Sequence, residues 1–299
     1  MGRRLADLAL LLLTLAWGTT FYFVKGVLGV APPGVFLAAR FLVASLVLGA
    51  VALARRDRVG PRFWRDGLLL GLAMWGGFVL QTMGLEHTTP ARSGFLTGLA
   101  VLIVPFVMRF ALGRAVKLAS WAGVALAVVG LALLTRPWTD DLAGAIRLGD
   151  ALTAGCAVAF AMQIVWTSEF APRHPLVPLV LLQVGVTFLG AVLMLPFEEV
   201  AIQPGGVPRF AATVAYTGVV MTAFAFFVQN WGQRHTTAVR AALIFALEPV
   251  AAALFSWGVG GEPLSGWDWA GGGLIVLGVV AGEVGGALER PSHAEHIPA

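Results

Sequence analysis

A few side chains in the long apolar stretches of this 299-residue chain can bind protons, charges or amide groups. Glu248, followed by Pro249, lies about ten residues into an apolar run, hence about 15 Å from its end at 1.5 Å per residue. A carboxylate at that depth is costly unless it meets a partner or a wet cavity, so it is a functional candidate. It fits a protonatable group coupled to solute movement, or an anchor for a cationic substrate group. It equally fits a hydrogen-bonded Glu that stabilises the bend at Pro249, where the preceding turn loses a backbone partner.

Gln81 and Gln229 offer several donors and acceptors without a charge. They suit the reading of a substrate's polar atoms, or the tying of neighbouring helices at about 0.6–2 kcal/mol each. Trp75 and Phe78 precede Gln81 by one to two turns and are expected on the same wall. Trp17, Thr20, Phe21, Phe160, Gln163 and Phe226 complete the expected cavity lining. Arg40 stands about seven residues from the end of its run, close enough to snorkel to headgroups, which is the reading taken here. The other reading is a guanidinium that lines an outer vestibule and attracts anions. His87 and His235 each precede a Thr pair suited to capping the next helix. A gate or proton relay at these histidines is the functional alternative.

Two of these groups belong to a duplication. Gln81-x-x-Gly84-x-x-His87-Thr88-Thr89-x-x-Arg92 recurs as Gln229-x-x-Gly232-x-x-His235-Thr236-Thr237-x-x-Arg240, displaced by 148 positions (229 − 81). The same displacement carries Phe78 onto Phe226, Trp121-Ala122-Gly123 onto Trp269-Ala270-Gly271, and Gly130 onto Gly278. Gln, His and Arg are scarce here, so their coincidence marks an internal repeat.

The elements that must position these residues follow from composition. The chain is 58% hydrophobic and 12% charged, about half the charge a soluble domain needs to cover its surface. Apolar runs of roughly 20 residues, the length that spans hydrocarbon, follow one another with short breaks. Ten are expected, at about 5–24, 34–54, 67–86, 91–111, 117–135, 149–169, 177–197, 210–231, 238–258 and 266–286. The first run is long for a secretory signal and ends without a small-x-small cleavage site, so it reads as a span. The lone Cys156 can form no internal disulfide. A formal charge of +4 forms no basic face, and no nucleic acid is expected as a partner.

The charges instead sort by alternate loops. With both termini in the cytoplasm, fourteen of the twenty Lys and Arg fall inside and five outside, with Arg40 in a span. That satisfies the positive-inside rule. Each repeat then holds five spans, an odd number, so the second copy enters the bilayer inverted. Equivalent positions reverse charge accordingly: Glu86 against Arg234, and Arg114 against Glu262.

Several of these residues resemble a known family. Trp17-Gly18-Thr19-Thr20-Phe21 with Lys25, Arg40-Phe41, the Thr-Thr-x-x-Arg entries and Glu248-Pro249 are similar to the EamA-like branch of the drug/metabolite transporter superfamily. The resemblance covers two units, 5–135 and 149–286, with 287–299 a flexible cytoplasmic tail. It implies an all-α polytopic membrane protein of ten transmembrane helices, in two inverted five-helix repeats around a central cavity. It further implies a secondary carrier of a small metabolite or drug, working by alternating access in the cell inner membrane, with export the expected direction. Departures are Phe160-Ala161-Met162, which stands in the sixth span without a Trp-Gly, and Ala100, which occupies the position equivalent to Glu248. Glu248, Arg40, His87 and His235 are the coupling or gating candidates. The lipid bilayer and a small-molecule substrate are the expected partners, and no cofactor, metal ligand or catalytic residue is assigned. The alternative class, an integral membrane enzyme acting on a lipid-linked substrate, normally shows clustered carboxylates, a metal set or a nucleophile beside a base. The sequence lacks an H-E-x-x-H, and it also lacks the phosphate-binding G-x-x-x-x-G-K-[ST] loop of ATP-driven machines.

Overall fold

The computed structural model describes residues 2–55, 57–88, 90–136, 144–261 and 263–288. Arg56, Thr89, Glu262 and the tail from residue 289 lie outside the described residues, as does the side chain of Arg92. Among the described residues all regular structure is helical. Ten helices follow in order. The first, α1, comes in two pieces, Gly2–Gly18 and Thr20–Leu28, and is followed by α2 (Pro33–Arg55) and α3 (Phe63–His87). Next, α4 runs as Pro90–Gly98, Ala100–Phe106 and a π-helical Val107–Ala111, and then comes α5 (Leu118–Thr135). The second half has α6 (Gly144–Phe170), α7 (Leu176–Val192) and α8, which is Val207–Ala215, a π-helical Tyr216–Phe224 and Ala225–Gln233. It closes with α9, in two pieces Ala238–Phe245 and Glu248–Gly260, and α10 (Gly266–Leu288).

Eight of the ten are long and apolar enough to cross a membrane by length and composition; Leu118–Leu134 and Gly266–Gly282 are apolar but shorter. Large apolar side chains such as Leu46, Leu189 and Phe224 face outward, while Gln163, Gln183, Gln229 and Gln233 are buried. That reversal of the soluble pattern is what a hydrocarbon surrounding requires. The chain is an all-helical polytopic membrane protein.

Packing follows the small residues. The helices α5 and α10 lie along each other, backbone to backbone. A Cβ at Gly123 would stand 2.5 Å from the Gly278 carbonyl oxygen, and one at Gly130 would stand 2.6 Å from that of Gly271. Only glycine permits that approach, as at other close helix crossings in membranes. This pair stays outside the cavity. The helix α3 packs on α6 and α7, whereas α8 packs on α1 and α2.

The helix breaks, more than the helices, shape the interior. The expected single span 238–258 is interrupted at Ala246 and Leu247, directly before Glu248, and α4 is interrupted at Leu99. In α1 the break comes after Gly18, where Thr19 and Thr20 donate their hydroxyls to the Ala16 and Trp17 carbonyls. Side-chain hydroxyls of this kind re-satisfy backbone groups where water is absent.

Candidate functional site

The breaks in α1, α4 and α9 converge on one central cavity of about 100 Å³. The walls come from α1–α4 and from α6, α8 and α9. Six of the lining side chains are aromatic. Phe78 is the hub, edge-on to Phe41 at 5.0 Å, Phe160 at 5.3 Å and Phe226 at 5.9 Å between centroids. Trp17 lies 5.5 Å from both Phe226 and Phe245, and its Nε1 donates to the Met221 carbonyl at 3.2 Å. The aromatic chain therefore runs through both halves of the protein.

Polar groups interrupt this wall. Gln81 Nε2 donates to Thr97 Oγ1 at 3.2 Å, tying α3 to α4. Gln229 Nε2 donates to Gln163 Oε1 at 3.0 Å and to Gln233 Oε1 at 2.9 Å, and Gln163 Nε2 reaches Gln183 Oε1 at 3.4 Å. Four amides thus form a buried chain joining α6, α7 and α8. Gln233 ends it by donating to the Ile164 carbonyl at 2.8 Å and to Ser168 Oγ at 2.9 Å. Gln81 and Gln229, alike in sequence, therefore hold different partners.

Arg40 corrects the snorkelling expectation. Its side chain turns inward and is only 4% exposed, with Nε donating to Thr222 Oγ1 at 2.8 Å. The guanidinium carbon sits 4.7 Å from the Phe78 centroid and 5.7 Å from that of Phe41. The ring faces and the hydroxyl, which the π-helical stretch of α8 presents, make the interior hospitable to a cation. Glu248 opens the second piece of α9 and lines the same cavity. Among the described residues it has no hydrogen-bond or ionic partner.

Ten of the eleven expected cavity residues line this space: Trp17, Thr20, Phe21, Phe78, Gln81, Phe160, Gln163, Phe226, Gln229 and Glu248. Trp75 does not. Six residues from Gln81, it is roughly 120° around the helix at 3.6 residues per turn. Its ring packs against Gly190 of α7, where a Cβ would stand 2.4 Å from the indole. His87 and His235, the gating candidates, lie elsewhere. Both are exposed, outside the cavity, at the ends of α3 and α8. Thr237 caps α9 by accepting from Arg240 N at 3.3 Å, whereas Thr88 reaches across to Asp150 at 3.2 Å. Lys25 donates to the Leu85 and Thr88 carbonyls at 2.6 and 3.2 Å. Thr97, Gln183, Thr222 and Gln233 were missed. Gln183 is a polar residue inside an apolar run, and the criterion that found Gln81 applies to it equally.

The two ends of the cavity differ. Beyond Phe21, Gly94 and Pro249 it meets a wider hollow of about 1060 Å³, bordered by Lys25, Arg136, Arg209 and Asp268. The other end is sealed by polar contacts between the halves. Arg240 grips Asp7 with Nε at 3.1 Å and Nη2 at 2.7 Å. Arg114 meets Glu169 at 2.8 Å, and buried Asp66 meets His174 at 2.8 Å. Arg234 donates to the carbonyls of Ala171 and His174, holding the α6–α7 turn in place, and burial lowers its pKa from the ordinary arginine range.

Comparison with known proteins agrees with this architecture. The sequence model of the EamA-like transporter family matches residues 4–136 and 147–281. An uncharacterized transporter of Archaeoglobus fulgidus is 32% identical, over 93% of this chain and 85% of that one. The uncharacterized inner membrane transporter YedA of Escherichia coli is 25% identical, over 91% of this chain and 88% of its own length. One crystal structure superposes with a TM-score of 0.77 at 22% identity, covering 93% of this chain and 97% of the other, a likeness of fold. These names point to a transporter rather than an enzyme.

Proposed function

Because this chain belongs to the EamA-like transporter family, we propose that it is a secondary carrier moving a small organic solute by alternating access. One observation carries the reading: a single cavity walled by both halves, sealed toward one end by contacts between those halves and widening toward the other. Asp7–Arg240, Arg114–Glu169 and Asp66–His174 each join one half to the other. Rocking the halves apart breaks all three together and exposes the cavity at the sealed end.

The units 5–135 and 149–286 are read as inverted repeats. In support, α3 lies against α6 as α8 lies against α1, and α3 lies against α7 as α8 lies against α2. The breaks at Leu99 and Leu247 are also 148 positions apart (247 − 99). The basic residues at the sealed end, Arg65, Arg114, Arg173, Arg234 and Arg240, support a cytoplasmic reading of that end. The wider hollow then faces outward, and export remains the proposed direction. The cell inner membrane is proposed as its location, in line with the name of the YedA relative. Glu248 is the proposed coupling group.

The test is flux in proteoliposomes of a labelled amino acid, a nucleobase and an amphiphilic drug, with and without a pH gradient. The carrier reading expects flux above empty liposomes for at least one, and loss of the pH response in Glu248→Gln. No flux from folded protein across the panel contradicts the carrier. Unchanged flux and pH response in the variant remove the coupling role.

A further inference from the structure

We infer that Gly94 holds open the doorway between the wide hollow and the central cavity, and so sets how bulky a solute can pass. The inference deepens the carrier reading and rests on it only for calling the doorway a solute route.

Three residues border both spaces: Phe21 from α1, Gly94 from α4 and Pro249 from α9. The spaces they separate differ about tenfold in volume, about 100 against about 1060 Å³. A solute moving from one to the other passes these three residues. Pro249 contributes a rigid ring, and Phe21 a ring that can change rotamer. Gly94 contributes no side chain at all.

Glycine needs a reason to stand inside a helix, because it destabilises one relative to alanine. In membranes the usual reason is a neighbouring helix too close for a side chain. That reason is plain elsewhere in this chain. One turn further along α4, a Cβ at Gly98 would stand 3.0 Å from Leu131, and one at Gly84 would stand 2.4 Å from Thr153 Oγ1. A tight turn is the other reason, and the positive φ angles of Gly113, Gly205 and Gly261 supply it there.

Gly94 has neither. It lies within the first piece of α4, Pro90–Gly98, without a positive φ, and a Cβ built on it meets nothing within 4 Å. Yet Gly94 is buried. A buried position with open space before it faces a hollow, and here that hollow is the neck. The missing side chain is the opening. Any side chain at position 94 suits the helix but projects into the passage, alanine least, valine more and leucine most. Gly26 is the matched comparison: it too lies within a helical piece, Thr20–Leu28, with nothing within 4 Å of its Cβ, but it borders the wide hollow alone.

The test is the rate at which 2-sulfonatoethyl methanethiosulfonate modifies a cysteine at Ile164, which lines the cavity and not the hollow, in a Cys156→Ser background. A cysteine at Ala212, exposed and bordering the hollow, identifies the membrane face that reaches the hollow and gives the reference rate. From that face, the ratio of the Ile164 rate to the Ala212 rate should fall about two- to threefold in Gly94→Ala. In Gly94→Leu it should fall at least about tenfold, as for steric overlap in a packed wall. Gly26→Leu should leave it within about twofold. Truncating another wall of the neck, Phe21→Ala, should restore part of the rate to Gly94→Leu. Gly94→Ala should melt no lower than the wild type. No modification at Ile164 from that face, equal rates in Gly94→Leu and wild type, equal slowing in Gly26→Leu, or a lower melting temperature for Gly94→Ala overturns the inference. If Gly94→Leu does not fold, Gly94→Ala and Gly94→Val decide. Flux separates the two readings. Slowed modification without flux of any solute in the panel contradicts the carrier and leaves the doorway standing. Flux that persists unchanged in Gly94→Leu contradicts the doorway and leaves the carrier.

Discussion

Asp7→Asn is expected to loosen the sealed end of the protein. Asp7 and Arg240 are the most direct ionic link between the first helix and the ninth, with both carboxylate oxygens engaged. Their side chains are only 16% and 19% exposed, so the pair is worth more than the about 0–1 kcal/mol of a surface bridge. Charge-assisted bidentate geometry argues for about 1–2 kcal/mol. That amount favours the sealed conformation alone if the halves rock apart as proposed, since that motion would separate the partners. Removing it shifts the population toward opening by a factor of roughly 5–30. The assay is maleimide labelling of a cysteine at Ile164, a cavity residue now 6% exposed, in a Cys156→Ser background. Reagent applied at the sealed end should label Asp7→Asn several-fold faster, and the exchange of Asp7→Arg with Arg240→Asp should restore slow labelling. Unchanged labelling in Asp7→Asn, with folding intact, refutes the idea that this pair helps to close the end.

Two further outcomes concern packing and burial. Gly271→Ala places a Cβ 2.5 Å from Leu134 N and 2.6 Å from the Gly130 oxygen, while at Gly273 nothing lies within 4 Å. Thermal unfolding should therefore show the first variant less stable by about 1–3 kcal/mol. Gly273→Ala should be neutral or more stable by up to about 1 kcal/mol; the reverse order contradicts the α5–α10 packing. Asp66→Ala leaves His174 buried without its 2.8 Å partner and should cost about 1–3 kcal/mol of stability. Asp66→Asn, which keeps an acceptor, should cost less, and equal losses in a melting assay argue against a role for that hydrogen bond.

How far the sequence reveals these sites depends on what each residue contacts. Apolar runs and scarce polar residues betray their places, because lipid tolerates few alternatives for either; Gln81, Gln229, Glu248 and their aromatic neighbours therefore come together at one cavity. Arg40 misleads because a snorkelling arginine and an inward one differ only in what stands opposite. Here the partners are Phe78 on another helix and Thr222 in the other half, which no local pattern reports. Trp75 misleads by helical phase: six residues from Gln81 is roughly 120° around the helix, and its ring packs on Gly190 of α7 instead. His87 and His235 mark the repeat faithfully, yet a shared ancestor preserves position without placing a side chain in the cavity. The breaks beside Leu99 and Leu247 are legible only in part, since Pro249 signals a bend and nothing local signals the one at Leu99.

The antiparallel threading of two homologous halves around one chamber is tested most directly by single cysteines at His87 and His235, exposed and equivalent by the repeat. With Cys156→Ser as background, a membrane-impermeant maleimide should label position 87 from outside intact cells and position 235 only after access to the cytoplasmic face. Labelling of both positions from the same face contradicts the account.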